Sequence, residues 1–261
     1  MNRRYKAHLV AAAVTVVLLG ATSAHGEDSA PAGAPSGSVV LELFTSQGCS
    51  SCPPADALLR KLSEEPEWQG RLVALGYHVD SWNYVGWTDP FSTADWTDRQ
   101  VAYAKQVSAG RTYTPQAIIN GKFSAVGSDE RSIRKQLADA AAQPAGKVAL
   151  KLTRDGRKVT VELSTTPPSG HAERLDLMLA VVESGLVTDV AHGENAHRTL
   201  HDDYVVRRLQ RAAKVAGADK TTSLNVHLER DWKPENVRFA AFLQDPDTRA
   251  IYGAASAAVP Q

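Results

Sequence analysis

The chain contains two cysteines, Cys49 and Cys52, which lie three positions apart. They follow a run of strand-forming residues and precede a stretch with helical spacing of leucines. This cysteine spacing is typical of a redox-active dithiol or of half of a metal site. A bridge across it closes a very short loop and therefore removes little chain entropy. A disulfide with only a structural role is the weaker interpretation.

Strands and helices alternate around this motif in the first half of the chain. Val39–Phe44 and Leu72–Val79 are apolar runs typical of buried strands, and the leucines between them predict a helix. Residues 90–110 predict a second helix, and an Asn-Gly pair at Asn120–Gly121 predicts a hairpin. A last helix is expected over 128–142. The pattern predicts an α/β domain with the order β-α-β-α-β-β-α, in which the first two strands are parallel.

This order of elements resembles the thioredoxin fold over residues 39–142. Three segments, FTSQGCSSCPPAD, HVDSWNYVGWTDPF and YTPQAIING, resemble more closely the hallmark segments of DUF1223, an exported, thioredoxin-like family of uncharacterised function. The likeness continues into the second half at GENAHRTLHDD. The resemblance implies membership of that family and a thioredoxin-like first domain, but it supplies little about a substrate.

The resemblance also implies that separate segments meet the dithiol at one sheet edge. Thioredoxin-like proteins place a cis-proline beside the dithiol; here it would be Pro115, with Thr114 contacting substrate. A trans proline at the start of a strand is the alternative. We predict that Cys49, the more exposed cysteine, is the nucleophile and that Cys52 resolves the mixed disulfide. Asp80, at the end of the second strand, is the predicted proton acceptor for Cys52; a solvated acid that starts a turn is the alternative.

An aromatic loop over residues 81–91 is expected at the same edge. Its residues Trp82 and Trp87 are candidates for binding an extended polypeptide. The alternative is a satellite cluster that packs the loop down. Replacing both tryptophans separates the two interpretations if stability and activity are measured together.

The residues around the second cysteine depart from the usual thioredoxin arrangement. Ser50 and Ser51 fill the dipeptide between the cysteines, where a proline commonly precedes the second cysteine, and Pro53–Pro54 follow. A residue before proline is disfavoured in the α region. We therefore expect Cys52 at or before the first helical turn, with Cys49 farther from the helix N-terminus.

The second half of the chain is rich in strand-forming segments. A break at Gln143–Gly146 predicts a boundary between a thioredoxin-like domain (39–143) and an all-β, sandwich-like domain (146–261). His192, His197 and His201 form the histidine cluster of this half. The last two have metal-ligand spacing if they share a helix, but the surrounding polar sequence favours a loop with exposed or hydrogen-bonded histidines.

The N-terminus predicts export. Residues 1–24 have the basic, apolar and small-residue regions of a signal peptide, and 25–38 form a Pro/Gly/Ala/Ser-rich flexible leader. Cleavage removes Arg3, Arg4 and Lys6, which leaves 26 basic against 29 acidic residues. We therefore expect a mature chain with no membrane span, no nucleic-acid partner and a periplasmic or secreted location.

Three functions fit these features. The first is an exported thiol–disulfide oxidoreductase, or a redox partner of one, that acts on a protein or a small thiol or disulfide without a cofactor. The second is a Cu(I)-handling protein in which His78 joins the two cysteines. The third is a binding module with a structural disulfide.

Overall fold

The chain forms three α-helices and thirteen strands in the residues that the computed structural model describes, which are 1, 37–169 and 174–261. The helices are α1 (Pro53–Glu64), α2 (Ala94–Val107) and α3 (Glu130–Ala141). The strands are β1 (Val39–Thr45), β2 (Leu72–His78), β3 (Gln116–Ile119), β4 (Phe123–Val126), β5 (Lys147–Asp155), β6 (Lys158–Thr166), β7 (Arg174–Glu183), β8 (Leu186–Val190), β9 (Arg198–Asp202), β10 (Val205–Ala216), β11 (Lys220–His227), β12 (Val237–Gln244) and β13 (Ile251–Ala258). Short 3-10 helices span Asp80–Val85 and Pro234–Asn236. The predicted signal peptide and the predicted leader lie outside the described residues, apart from residues 1, 37 and 38.

Eight strands form one mixed sheet in the order β13-β12-β7-β10-β2-β1-β3-β4. β1 and β2 are parallel, whereas β1 pairs antiparallel with β3 and β3 with β4. A three-stranded sheet, β11-β6-β5, and the β8–β9 hairpin complete the strands of the described chain. The element order predicted for residues 39–142 is therefore present, including the strand pairing around the CxxC motif.

The predicted fold class is nevertheless wrong. An α/β thioredoxin-like domain followed by an all-β domain would keep the sheets of the two halves separate. Instead the sheet of the first half continues into β10, β7, β12 and β13 of the second half, and the structure is mostly β. The outer edge of β2 accepts a parallel partner in β10, through the register pair Gly76–Val205 and a bond from the Gly76 amide to the Tyr204 carbonyl. Pairing over such a distance in sequence leaves no periodic signal.

Apolar strands buried on both faces explain why the sheet is central. All seven residues of β1 and all seven of β2 are buried. One core lies between the sheet and helices α1 and α3, and a second lies on the opposite face, against α2. A third core joins the three-stranded sheet to β7 and β12. The three-stranded sheet therefore packs on a sheet that is shared with the first half, and not within a separate all-β domain.

A buried polar network also links the two halves. The Arg99 guanidinium of α2 bonds to Glu42 of β1 at 2.8 Å and to Gln244 of β12 at 3.2 Å. Tyr103 donates to Glu42 and accepts from Arg99 and Gln244. All four side chains are buried. Because buried charges need partners, this network ties α2 to strands from both halves.

Candidate functional site

The two cysteines form a disulfide in the connection between β1 and α1. Cys52 is the N-cap residue of α1, and Pro53 and Pro54 open the helix, as the proline pair predicted. Cys49 precedes the helix, and its Cα lies 5.4 Å from that of Cys52. Both cysteines have 0% exposure, so the expectation that Cys49 is the more exposed one is wrong. The exposed residues of the motif are Ser50 and Ser51.

The loop of the β8–β9 hairpin, called the covering loop below, is hydrogen-bonded to the loop that carries the disulfide. The Asn195 amide nitrogen donates to the backbone carbonyls of Gln47 and Cys49, at 2.9 and 3.0 Å. Glu194 accepts from both the amide and the hydroxyl of Ser50, which lowers the pKa of Glu194. A segment almost 150 residues away in sequence thus clamps the CxxC loop.

Removing this clamp should expose the disulfide. We expect Asn195→Ala to accelerate reduction of the disulfide by dithiothreitol and to lower the free energy of unfolding by about 1–3 kcal/mol, because buried carbonyls lose their donor. Alkylation of the free thiols in samples quenched at timed intervals measures the rate of disulfide reduction, and urea unfolding measures stability. Asn225→Ala is the matched control, since the exposed Asn225 side chain accepts a bond from Thr160 at the surface. Equal reduction rates in both variants would contradict a covering role.

A cluster of one histidine and three carboxylates, of which His78, Asp89 and Asp202 are buried, lies at the same edge of the sheet. The His78 Nδ1 atom is 2.7 Å from Asp89, and its Nε2 atom is 4.0 Å from Asp202. Asp56, in the first turn of α1, is half-buried and interacts electrostatically with His78, Asp89 and Asp202. Gln47 connects this cluster to the CxxC loop: its backbone amide donates to Asp89 and its side-chain amide donates to Asp202.

The cluster shifts the pKa of each member. Burial raises the pKa of Asp56 to about 7, although nearby His78 and the Thr45 hydroxyl oppose the shift. Burial disfavours the charged form of His78, but Asp89, Asp202 and Asp56 raise its pKa to about 9. Burial also raises the pKa of Asp202, whereas His78 holds the pKa of Asp89 below its usual range despite burial. The cluster therefore contains a His78–Asp89 ion pair beside a carboxyl that exchanges its proton near neutral pH.

The ion pair makes stability depend on pH. The pKa of His78 rises from 6.5 to about 9 on folding. The stabilisation that this residue contributes to the folded state is therefore complete below about pH 6.5 and is lost as the pH rises through about 9. We expect the free energy of unfolding to fall between pH 7 and pH 10 in urea titrations, with a smaller fall in His78→Gln. A fall of the same size in both proteins would refute the assignment.

A cleft connects the cluster with solvent. It has a volume of about 200 Å³ and opens between the first turn of α1 and β9. Asp56 and Asp202 line it together with Arg60 and Arg198. A proton can therefore reach Asp56 although the disulfide is buried.

The Thr114–Pro115 segment lies beside the start of α1. The peptide bond is cis, as the resemblance implied. A Cβ atom on Gly127 would lie 2.8 Å from the Cβ of Pro115 and 3.1 Å from that of Ala55, so this glycine lets the proline approach the first turn of the helix. The Thr114 hydroxyl is buried and makes no hydrogen bond within the described residues. The substrate-contacting role of this pair remains a prediction.

The two tryptophans of the aromatic loop pack against the CxxC loop and are half-buried. A Cβ on Gly48 would lie 3.1 Å from the Trp82 carbonyl oxygen. Trp87 donates through Nε1 to the Gln47 side chain at 3.1 Å, and its Cβ faces Gly193 of the covering loop. These contacts place both residues at the predicted edge, where packing and substrate binding are compatible.

Comparison with known proteins identifies the family. The family model described as "Protein of unknown function (DUF1223)" matches residues 40–244. This chain belongs to the DUF1223 family. The resemblance drawn from the four sequence segments is thereby confirmed, and the matched span includes the disulfide, the His78 cluster and the covering loop.

Solved structures extend the comparison of this DUF1223 protein. A protein from Agrobacterium tumefaciens is 29% identical, with 85% of this chain and 95% of that chain covered and a TM-score of 0.65. HBP35 of Porphyromonas gingivalis is 17% identical, with 86% and 76% covered and a TM-score of 0.65, a likeness that shows the fold alone. The curated proteins compared with the chain contain no match.

Several residues of this DUF1223 site were not among the sequence candidates. They are Gln47, Asp56, Asp89, Glu194, Asn195 and Asp202. Each lies inside one of the four segments that resemble the family, and this position is the sequence signal that could have identified it. Asp80, the predicted proton acceptor, instead accepts from Thr97 of α2 at 2.6 Å and starts a 3-10 helix. The structure brings Asp56, rather than Asp80, into the cluster around His78.

The predicted histidine cluster does not form a metal site in the described residues. His192, His197 and His201 are exposed, and the last lies in strand β9, so the helical metal-ligand spacing is not formed. His78 faces Asp89 through Nδ1. Within the described ranges, no three His, Cys, Asp or Glu side chains are grouped so that they could hold a metal ion. The Cu(I) interpretation remains a prediction.

No helix in the described part of the chain has the length and apolar character needed to cross a membrane. Export itself remains a prediction, because the signal sequence lies outside the described residues.

Proposed function

We propose that the protein is an exported thiol–disulfide oxidoreductase, or a redox partner of one, that uses the Cys49–Cys52 pair. The observation that carries the proposal is a disulfide at the N-cap of α1 that is followed one turn later by Asp56, whose pKa is about 7. Residues four apart on a helix share a face. Asp56 is therefore suited to exchange a proton with Cys52.

The reaction is thiol–disulfide exchange. A substrate thiolate attacks Cys49, so that a substrate–Cys49 disulfide forms and the Cys49–Cys52 bond breaks. Cys52 leaves as a thiolate and takes the proton of Asp56. A second substrate thiolate then attacks the mixed disulfide and releases Cys49. The substrate loses two electrons and the dithiol gains them; the reverse sequence reduces a substrate disulfide.

The burial of both cysteines adds one step to this scheme. Because neither sulfur is exposed, the loop held by Asn195 must move before a protein thiol reaches Cys49. The adjacent Thr114–Pro115 segment and the half-buried Trp82 and Trp87 are the proposed contacts for substrate. A small thiol needs a smaller opening than a polypeptide does.

Single-cysteine variants test the proposal and the roles of the two thiols. Cys52→Ser should form a mixed disulfide with oxidised glutathione, with Cys49 as the attacking thiol, and should do so faster than Cys49→Ser. Mass spectrometry of samples quenched at timed intervals gives both rates. Faster reaction of Cys49→Ser would reverse the assigned roles.

The reduction potential provides an independent test. A redox-active pair should equilibrate with glutathione at a potential well above the roughly −300 mV of inert structural disulfides. Alkylation of the free thiols across a series of glutathione buffers measures it. A lower potential, together with no insulin reductase activity, would leave a structural bridge as the function of the motif.

A further inference from the structure

A cavity of about 400 Å³ lies away from the disulfide, where the strands of the two halves meet. It is lined by β2, β7, β12 and β13, the loop that enters β10 and the C-terminal end of α1. Its volume is in the range of small-ligand sites. Within the described residues, β10 pairs with β2 only at Gly76–Val205, so the first half of β2 has no strand partner on the side that faces the cavity.

Tyr204 shapes one wall of this cavity. Its φ of 58° lies in the left-handed region, which non-glycine residues rarely adopt. The conformation is held from both sides: its carbonyl accepts from Gly76 at 2.7 Å, and its amide donates to the Ser184 hydroxyl at 3.0 Å. A strained residue at a cavity is consistent with a binding role.

Arg238 provides a cation in the same cavity. It is the one charged residue of strand β12, and its guanidinium makes a long 3.4 Å bond to the Ser256 hydroxyl. Arg207, Arg208 and Arg211 of β10 each pair with a carboxylate. Within the described residues no carboxylate forms an ion pair with Arg238. This guanidinium therefore retains donors for a ligand.

The remaining surface of the cavity is partly apolar. Leu72 and Ala74 of β2 lie on one side, and Val182 and Ala240 of β7 and β12 lie on the other. Val182 is the register partner of Arg238, so an apolar wall adjoins the cation directly. Glu64 at the exposed rim disfavours ligands with several negative charges.

We propose that this cavity binds a small organic monocarboxylate, with the carboxylate on Arg238 and the hydrocarbon part against the apolar walls. Guanidinium groups hold carboxylates through paired, charge-assisted hydrogen bonds. The hydroxyls of Ser256 and Tyr204 supply further polar contacts. The proposal does not depend on redox chemistry at the cysteines.

Calorimetric titration of the folded protein tests the proposal with three probes: hexanoate, the uncharged hexanamide and inorganic phosphate. We expect hexanoate to bind with a Kd below about 10 mM, and at least about tenfold more tightly than either other probe. Arg238→Gln should weaken hexanoate binding by about tenfold or more, and Arg238→Lys by less. Arg208→Gln, which changes an arginine outside the cavity, is the matched control and should bind as the unaltered protein does.

Two outcomes would overturn the proposal. The first is no binding of hexanoate, or equal binding of hexanamide or phosphate, in the unaltered protein; this result does not require any variant to fold. The second is hexanoate affinity that is unchanged in a folded Arg238→Gln protein.

Discussion

Replacing Asp56 by asparagine should slow reduction of the Cys49–Cys52 disulfide by about 10²-fold, the lower range for a positioned proton donor. The physical reason is the state of Asp56 before reduction: burial raises its pKa to about 7, so about half of the molecules carry the proton at pH 7 and more do at lower pH. That proton neutralises Cys52 as the disulfide breaks. Asparagine has a similar shape but carries no exchangeable acid proton.

The pH dependence distinguishes this role from a structural one. After correction for the thiolate fraction of the attacking dithiothreitol, the rate should fall as the pH rises through about 7, because Asp56 loses its proton there. The Asp56→Asn variant should lack this fall. Rapid-quench alkylation from pH 5.5 to 8.5 measures both.

Asp80→Asn is the matched control for this prediction. Asp80 was the acid that the sequence favoured, yet it bonds to Thr97 on α2. We expect its replacement to leave the exchange rate unchanged within a factor of about two to three. If instead Asp80→Asn slows exchange and Asp56→Asn does not, the sequence-based assignment is correct and the role given to Asp56 is wrong.

Replacing Arg99 by methionine should lower the free energy of unfolding by about 3–5 kcal/mol, the usual cost of leaving one member of a buried ion pair without its partner. Glu42 would keep a buried carboxylate with only Tyr103 as a donor among the described side chains. Gln244 of β12 would lose one of its bonds to α2. Urea unfolding at pH 7 measures the change.

Two further variants show whether burial is responsible. Arg134→Met removes an arginine that is only half-buried, where it bonds twice to Glu65 and once to Glu130, and should cost clearly less than Arg99→Met because water still reaches both carboxylates. The double variant Arg99→Met with Glu42→Leu should recover part of the loss, because no uncompensated charge remains. Equal losses for Arg99→Met and Arg134→Met would contradict the argument.

The local elements of the first half could be predicted because their signals are local. Proline at Pro53–Pro54 marks the helix start, and the Asn120–Gly121 pair adopts the positive φ angles that a tight hairpin turn requires. The nearly continuous apolar runs correctly indicated strands buried on both faces. Each signal depends on a few neighbouring residues, so no tertiary contact is needed to interpret it.

The fold class could not be predicted in the same way. The backbone groups along the outer edge of β2 need hydrogen-bond partners. Either a segment of a separate domain or another strand of the same sheet could provide them. The partner is decided by the hydrogen bond from the Gly76 amide to the Tyr204 carbonyl, which joins residues more than 120 positions apart. Periodicity indicates that a strand forms, but not which strand becomes its neighbour.

The candidate site also has a part that the sequence predicts and a part that depends on tertiary contacts. The sequence by itself identified the Cys49–Cys52 pair, the cis peptide bond at Pro115 and the family, because spacing and short motifs carry that information. Only the tertiary structure decided that Asn195 bonds to the CxxC loop and that Asp56 joins His78, Asp89 and Asp202. The reason is physical: burial and the distance between charges determine which acid holds a proton, and both are created when β1, β2 and the β8–β9 hairpin meet.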